Sequence, residues 1–330
     1  MSQILLYPMY FEPIFQYRPW GGRHLADLFN EPLPGNDPIG EAWILSDRDD
    51  HESHVANGLL KGQNISQLFK HWPDQLMGKQ AGRFNRFPLL LKFLDAHEML
   101  SVQVHPSDRQ KNLIPHGEQG KTEAWVVLKA GHESLIFAGL KPGTTEDNLR
   151  LSIIDGTVVD QLASFIPKTG DAVFVSPGTV HTLGGDIVVF EVQQNSDATF
   201  RLFDWNRVDA KTGQTRELQV DQAFACINFS QVAIVPIVPQ MITIVPVECE
   251  QLIQCEHFLL WRLRGQSPFN VGAMDTPHVL VCTEGNGELE HDGIMYALGR
   301  GDVLLLPAVA GVCAFHPNNS VTLLEIAIPD

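Results

Sequence analysis

Positive charge is in short supply: 23 lysines and arginines stand against 39 acidic residues, a net charge of −16. That deficit argues against non-specific binding to nucleic acid or to an anionic membrane, both of which need a basic face. Long apolar runs are missing as well. No segment reaches the roughly 20 apolar residues of a membrane span, and the opening MSQILLYPMYFEPIF has no basic stretch of the kind that starts an export signal. Cysteine is scarce and scattered: Cys226, Cys249, Cys255, Cys282 and Cys313 are odd in number and contain no C-x-x-C pair. This excludes a disulfide framework and points to reduced thiols in a cytoplasmic protein. A P-loop or other glycine-rich phosphate cradle is also absent, so a phosphorylated ligand would have to be held by side chains.

What is present is a chain of 330 residues, 44% hydrophobic, with 27 glycines and 21 prolines. That suits a compact protein rich in strands and turns, in one large or two smaller units. Helical periodicity is confined to HLADLF (24–29), ISQLFKHWPDQLMG (65–78) and the stretch 144–165. In the last, Thr144 or Thr145 is positioned to cap a first turn bearing Glu146 and Asp147, and Gly156 divides it into two helices. The rest reads as short apolar strands between turn residues, among them PLLLKFLDA, EAWVVLKA, DIVVFEVQQ, HVLVCTEG and SVTLLEIAI. Strands at this spacing predict a sandwich or barrel. The prolines of QVAIVPIVPQMITIVPV (231–247) exclude it from a central strand and suggest a crossing between two β units. An internal echo agrees with duplication: TGDAVFVSP followed by DIVVFEV resembles RGDVLLLPA followed by VTLLEIA.

Polar groups that could carry chemistry gather in three places. Along LSVQVHP the two-residue period of a strand sets Ser101, Gln103 and His105 on one face, which looks either into solvent or into a site. In GKTEAWVVL a lone acid, Glu123, stands at the mouth of an apolar strand, with Lys121 two residues earlier on the same face. In GDAVFVSPGTVHTLGG, His181 follows a proline-glycine turn after a fully apolar strand. Two imidazoles, one carboxylate and one amide make a four-donor set that suits zinc, with iron, cobalt or manganese as alternatives. A dipositive ion so held keeps a formal charge of +1 and with it Lewis acidity. Arg201 alternates with Phe200 and Leu202. It either pairs with Asp204 or Asp197 in a structural salt bridge or stabilises negative charge developing on a substrate. The stretch from Lys79 to Lys121 holds seven basic residues against four acids, enough for a local positive pocket.

The turn carrying His181 resembles the second metal motif of the cupin barrels. Longer strings are more specific: PWGG (19–22), GEAW (40–43), FPLLLKFLDAHEMLSVQVHPSD (87–108), GKTEAW (120–125), PGTVHTLG (177–184) and QQNSDATFRLFDWNR (193–207) together resemble type I phosphomannose isomerase in its short bacterial form. The resemblance is dense over about residues 8–225. It implies a mainly β fold of two cupin-type, jelly-roll barrels with a few short helices inserted in the N-terminal half. Residues 1–235 would form the metal-binding catalytic domain and 236–330 a metal-free one, since Val312 stands where the second histidine would fall. It further implies one zinc ion, or another divalent metal, on Gln103, His105, Glu123 and His181, with Arg201 and Lys121 as catalytic groups.

The chemistry expected on this basis is aldose–ketose isomerisation of mannose 6-phosphate and fructose 6-phosphate through an enediol. Lys121 would act as the proton-transfer base and Arg201 would hold the anionic oxygen. Ser101 and Lys92 are the candidates for binding the substrate and its phosphate. The expected partner is a small phosphorylated sugar, bound by a monomer. The rivals are another metal-dependent cupin enzyme, such as a dioxygenase, and a sugar-phosphate-binding cupin without catalysis.

Overall fold

A computed structural model describes residues 4–29 and 32–330, and among them strands dominate. Two sheets are built from the N-terminal two thirds of the chain. One has six strands in the order Ile14–Gly22, Ile39–Leu45, Leu89–Ala96, Ile187–Gln194, Glu123–Ala130, Ala172–Val175. The other has five, in the order Phe200–Phe203, Val102–Val104, His181–Gly184, Leu135–Leu140, Leu162–Phe165. A third, nine-stranded sheet runs through the C-terminal part. Its path is Met9–Tyr10, Val303–Leu306, His278–His291, Cys313–Ala327, Leu259–Gly265, Glu248–Gln254, Gln240–Thr243, with Phe269–Val271 and Ile294–Gly299 paired at its side.

The six-stranded sheet is buried on both faces, and alternation sorts its side chains. Phe93, Ala124, Val126, Phe190 and Val192 point one way, into a cluster shared with Phe258, Leu260, Val279 and Ile326 of the nine-stranded sheet. Leu94, Trp125, Val127 and Val189 point the other way, toward Ile136, Ala138 and Leu183 of the five-stranded sheet. Strands buried on both faces read as continuous apolar runs, which is why PLLLKFLDA and DIVVFEVQQ stand out in the sequence.

The echoed segments occupy matching places. Ala172–Val175 flanks Glu123–Ala130, which pairs with Ile187–Gln194. Val303–Leu306 likewise flanks the first half of His278–His291, which pairs with the second half of Cys313–Ala327. Both of these C-terminal strands are longer than the expected HVLVCTEG, GELEHDG and SVTLLEIAI, because each runs on across the turn that divides its N-terminal counterpart. The proline-bearing crossing contributes only Gln240–Thr243, an exposed strand at a sheet edge.

The helices are few and short. Asn64 caps Ile65–His71 with a reciprocal capping box to Gln67, and Pro73, which has no N–H to donate, restarts the chain as Pro73–Met77. The expected single helix over 65–78 is therefore two. Thr145 caps Glu146–Asp155 and Gly156 ends it at φ 73°. The second helix expected beyond Gly156 is instead a 3-10 turn, Val158–Gln161, leading into the strand Leu162–Phe165. The five cysteines are free. Among the described residues no helix is long and apolar enough to cross a membrane.

Candidate metal centre

The site lies between the six-stranded and five-stranded sheets. On the five-stranded sheet, Val102 and Val104 turn into an apolar cluster. Gln103, between them, faces the other way and stands opposite both His181 and Arg201 in the ladder. His105 follows directly. Glu123 reaches across from the first position of its strand, and ligand-capable atoms of His105, Glu123 and His181 lie within 4.8 Å of one another, all three buried.

Hydrogen bonds fix the chemistry of these donors. Nδ1 of His105 lies 2.9 Å from the Ala198 carbonyl and Nδ1 of His181 lies 2.9 Å from the Thr179 carbonyl. A carbonyl can only accept, so both protons sit on Nδ1 and both Nε2 lone pairs point inward. His105 Nε2 lies 3.4 Å from Glu123 and His181 Nε2 lies 3.2 Å from it. Burial and the Lys121 ammonium, outweighing Glu123, push His105 down to about 3, the neutral form that binds metal. Burial would raise Glu123, but the Lys121 ammonium beside it holds its carboxyl well below the usual range. Gln103 Nε2 is 3.3 Å from His181 Nε2, and its Oε1 accepts from Ser101 Oγ at 3.2 Å. The amide must turn over to offer its oxygen to a cation. Two imidazole lone pairs and a carboxylate converging in a dry interior repel one another unless a cation lies among them, and the donor set fits a divalent metal. Lys121 Nζ, 2.7 Å from Glu123 and 3.1 Å from His105 Nε2, borders the same point.

A cavity of about 470 Å³ opens beside these residues, lined by Trp20, Lys92, Ser101, Lys121, Glu191 and Arg201 among others. Of the basic stretch from Lys79 to Lys121, Lys92 and Lys121 turn inward, whereas Arg86 pairs with Asp49 near the surface. Lys92 does not stand free. It lies in a cross-strand row, Trp43, Lys92, Glu191, Trp125. Its ammonium is 3.0 Å from Glu191 and sits over the Trp43 ring. Burial alone would lower its pKa, but Glu191 and Glu41 outweigh that and raise it, keeping the ammonium charged.

Among the described residues Arg201 has no carboxylate partner. Its Nε donates to Ser101 Oγ at 3.2 Å and its Nη1 to the Glu217 carbonyl at 2.9 Å. The structural salt bridge considered for it is not made: Asp204 is bound by Arg216 at 2.7 Å and lies 3.5 Å from Arg207. Glu191, Glu41 and Arg18 were not singled out in the sequence, yet all line this cavity. Glu41 accepts from Arg18 and from Trp43 Nε1, and Glu191 from Trp125 Nε1. The signal for both acids was available. Each is a lone charge inside an apolar run, GEAWIL and VVFEVQQ, as Glu123 is in TEAWVV.

Residues 9–124 match the family described as phosphomannose isomerase type I, catalytic domain. The chain is 36% identical over 308 residues to the mannose-6-phosphate isomerase ManA of Bacillus subtilis (strain 168), covering 91% of this chain and 93% of that protein. It is 33% identical to the mannose-6-phosphate isomerase of Streptococcus mutans, over 91% of this chain and 92% of that one. Among solved structures, a mannose 6-phosphate isomerase from Bacillus subtilis superposes with a TM-score of 0.88 at 29% identity, covering 97% of this chain and 99% of that one.

Proposed function

The chain belongs to the mannose-6-phosphate isomerase family, type I, and on that premise we propose that it interconverts mannose 6-phosphate and fructose 6-phosphate with one divalent metal on Gln103, His105, Glu123 and His181. The observation that carries the metal reading is the convergence of two buried Nε2 lone pairs and a carboxylate beside a cavity that Gln103 and Lys121 line. When bound, the ion would supply Lewis acidity toward the sugar's carbonyl and hydroxyl oxygens, and zinc suits this donor set best.

The chain's own groups then divide the reaction between them. Isomerisation moves a proton between C1 and C2 through an enediol. Lys121, buried at the inner end of the cavity, acts as the free amine, taking that proton from one carbon and returning it to the other; the ammonium that His105 and Glu123 otherwise hold would be repelled by a divalent ion on these two residues. Arg201, which has no carboxylate partner among the described residues, holds the oxygen on which negative charge develops. Ser101 lies between Gln103 and Arg201 and orients a sugar hydroxyl. Lys92, alongside Glu191, adds positive charge for the phosphorylated substrate.

Each unit is read as a jelly-roll barrel: 1–235 the catalytic one and 236–330 the metal-free one, with Val312 in place of a histidine. The enzyme acts as a monomer in the reducing cytoplasm, where its free cysteines stay unpaired and nucleic acid is no partner. The test is one purification. Bound metal is quantified, then conversion of mannose 6-phosphate to fructose 6-phosphate is followed before chelation, after it, and after zinc is returned. No turnover with metal bound overturns the isomerase reading. Undiminished turnover after complete removal of metal overturns the role of the metal.

A further inference from the structure

Gln193 is fully buried, shares a face with Glu191, and stands directly opposite Glu123 in the ladder. Its side-chain nitrogen donates twice, to the Gln194 carbonyl at 3.0 Å and to the Ser196 carbonyl. Those two acceptors settle which end of the amide is nitrogen. The oxygen is turned the other way and meets no donor among the described residues.

The loop that Gln193 grips continues into the metal centre. The Ser196 hydroxyl donates to the Gln119 carbonyl at 2.7 Å and accepts from the Ala198 amide at 3.3 Å. The Ala198 carbonyl is in turn the acceptor that holds the proton of His105 on Nδ1. We propose that Gln193 is a positioning residue of the metal centre: by clamping the 194–198 turn it fixes the carbonyl that selects the metal-binding tautomer and ring orientation of His105. A buried acceptor without a donor is unfavourable, and an apolar side chain of the same size would avoid it. The amide is accounted for by its two donors.

This inference rests on the reading of His105 as a ligand, so the experiment includes a control for that reading. Zinc affinity is measured by competition with a chromophoric chelator for the parent, Gln193→Leu, Gln193→Glu and His105→Gln. Loss of the direct outer partner of a ligating histidine weakens metal binding about 10–100-fold; Gln193 acts on that partner through the 194–198 turn, so both Gln193 variants are expected at the lower end, about 10-fold. Gln193→Glu keeps the shape and the acceptors but removes both donors, and it tests the clamp should Gln193→Leu fail to fold. The nitrogen-15 spectrum of zinc-free protein gives a second readout: His105 is a single Nδ1–H tautomer in the parent and a mixture in the Gln193 variants. Unchanged affinity in the Gln193 variants overturns the inference, as does tighter binding by Gln193→Glu, which would mean that charge and not the clamp is what counts. Parental affinity in His105→Gln would instead overturn the ligand reading itself.

Discussion

Lys92→Met separates what the buried Lys92–Glu191 pair does for the fold from what it does for the substrate. The two side chains are 4% and 3% exposed and their charged atoms are 3.0 Å apart. Methionine fills most of the space but leaves Glu191, buried in the cavity wall, without its ion-pair partner and with Trp125 Nε1 at 2.8 Å as its remaining hydrogen-bond donor. Removing one partner of a buried ion pair costs about 3–5 kcal/mol. A chain of 330 residues gains roughly 0.7 kcal/mol per kelvin of unfolding entropy, so the thermal midpoint should fall by about 4–7 °C. In Lys92→Met/Glu191→Leu neither charge is stranded, and most of the loss should return, because a buried pair replaced by apolar groups is often close to neutral. Calorimetry and denaturant unfolding of the parent, both single variants and the double variant close the cycle. Turnover measured on the same four proteins should stay low in the double variant even as stability recovers, since the cation proposed to face the substrate is still gone. A single variant as stable as the parent, or a double variant as unstable as Lys92→Met, would refute the reasoning.

Other outcomes follow from the same geometry. His181→Ala should lose both bound metal, by elemental analysis after dialysis, and activity; a metal-replete variant would remove His181 from the ligand set. Arg201→Ala should keep its metal and lose about 100–1,000-fold in kcat, the usual cost of removing one donor to a developing oxyanion; a fully active variant would take Arg201 out of the mechanism. Burial would raise the Glu41 carboxyl, but Arg18, Lys92 and Trp43 overcome this and lower it to about 2. Its folded pKa lies below its unfolded one, so its contribution of about 3 kcal/mol is complete above roughly pH 4.5 and is lost as pH falls toward 2. Glu41→Gln should therefore unfold earlier than the parent at pH 7 and converge with it only as pH falls through about 2, and parallel stability curves across that range would contradict the assignment.

Much of this architecture could be read from the chain because the strands nearest the site are buried on both faces. Leu89–Ala96 and Ile187–Gln194 appear as mainly apolar runs, and single polar residues inside or beside such runs, Glu123 above all, mark the site. Where burial is partial the signal fades. Ile14–Gly22 mixes Tyr17, Arg18 and Pro19 at intermediate exposure and does not read as a strand, although it brings Arg18 to the cavity. The helix Val220–Cys226 has no side-chain cap and only seven residues, too few to show a period. Leu162–Phe165 continues an apolar spacing that also fits a helix, and only its pairing with Leu135–Leu140 decides the matter. The role of Gln193 is illegible for a different reason: its partners are backbone carbonyls, which every residue carries.

The two faces of the six-stranded sheet also bear on how the chain finds its alignment. Phe190 and Val192 enter the apolar cluster, while on the opposite face Glu191 lines the cavity and Gln193 binds the 194–196 turn. Sliding Ile187–Gln194 by one residue would exchange the two sets, putting a carboxylate into hydrocarbon and phenylalanine against the cavity. The charges that serve the chemistry therefore act during folding as register marks, and a misaligned strand is penalised on both faces at once. Neutralising them should cost catalysis first and fidelity of assembly second.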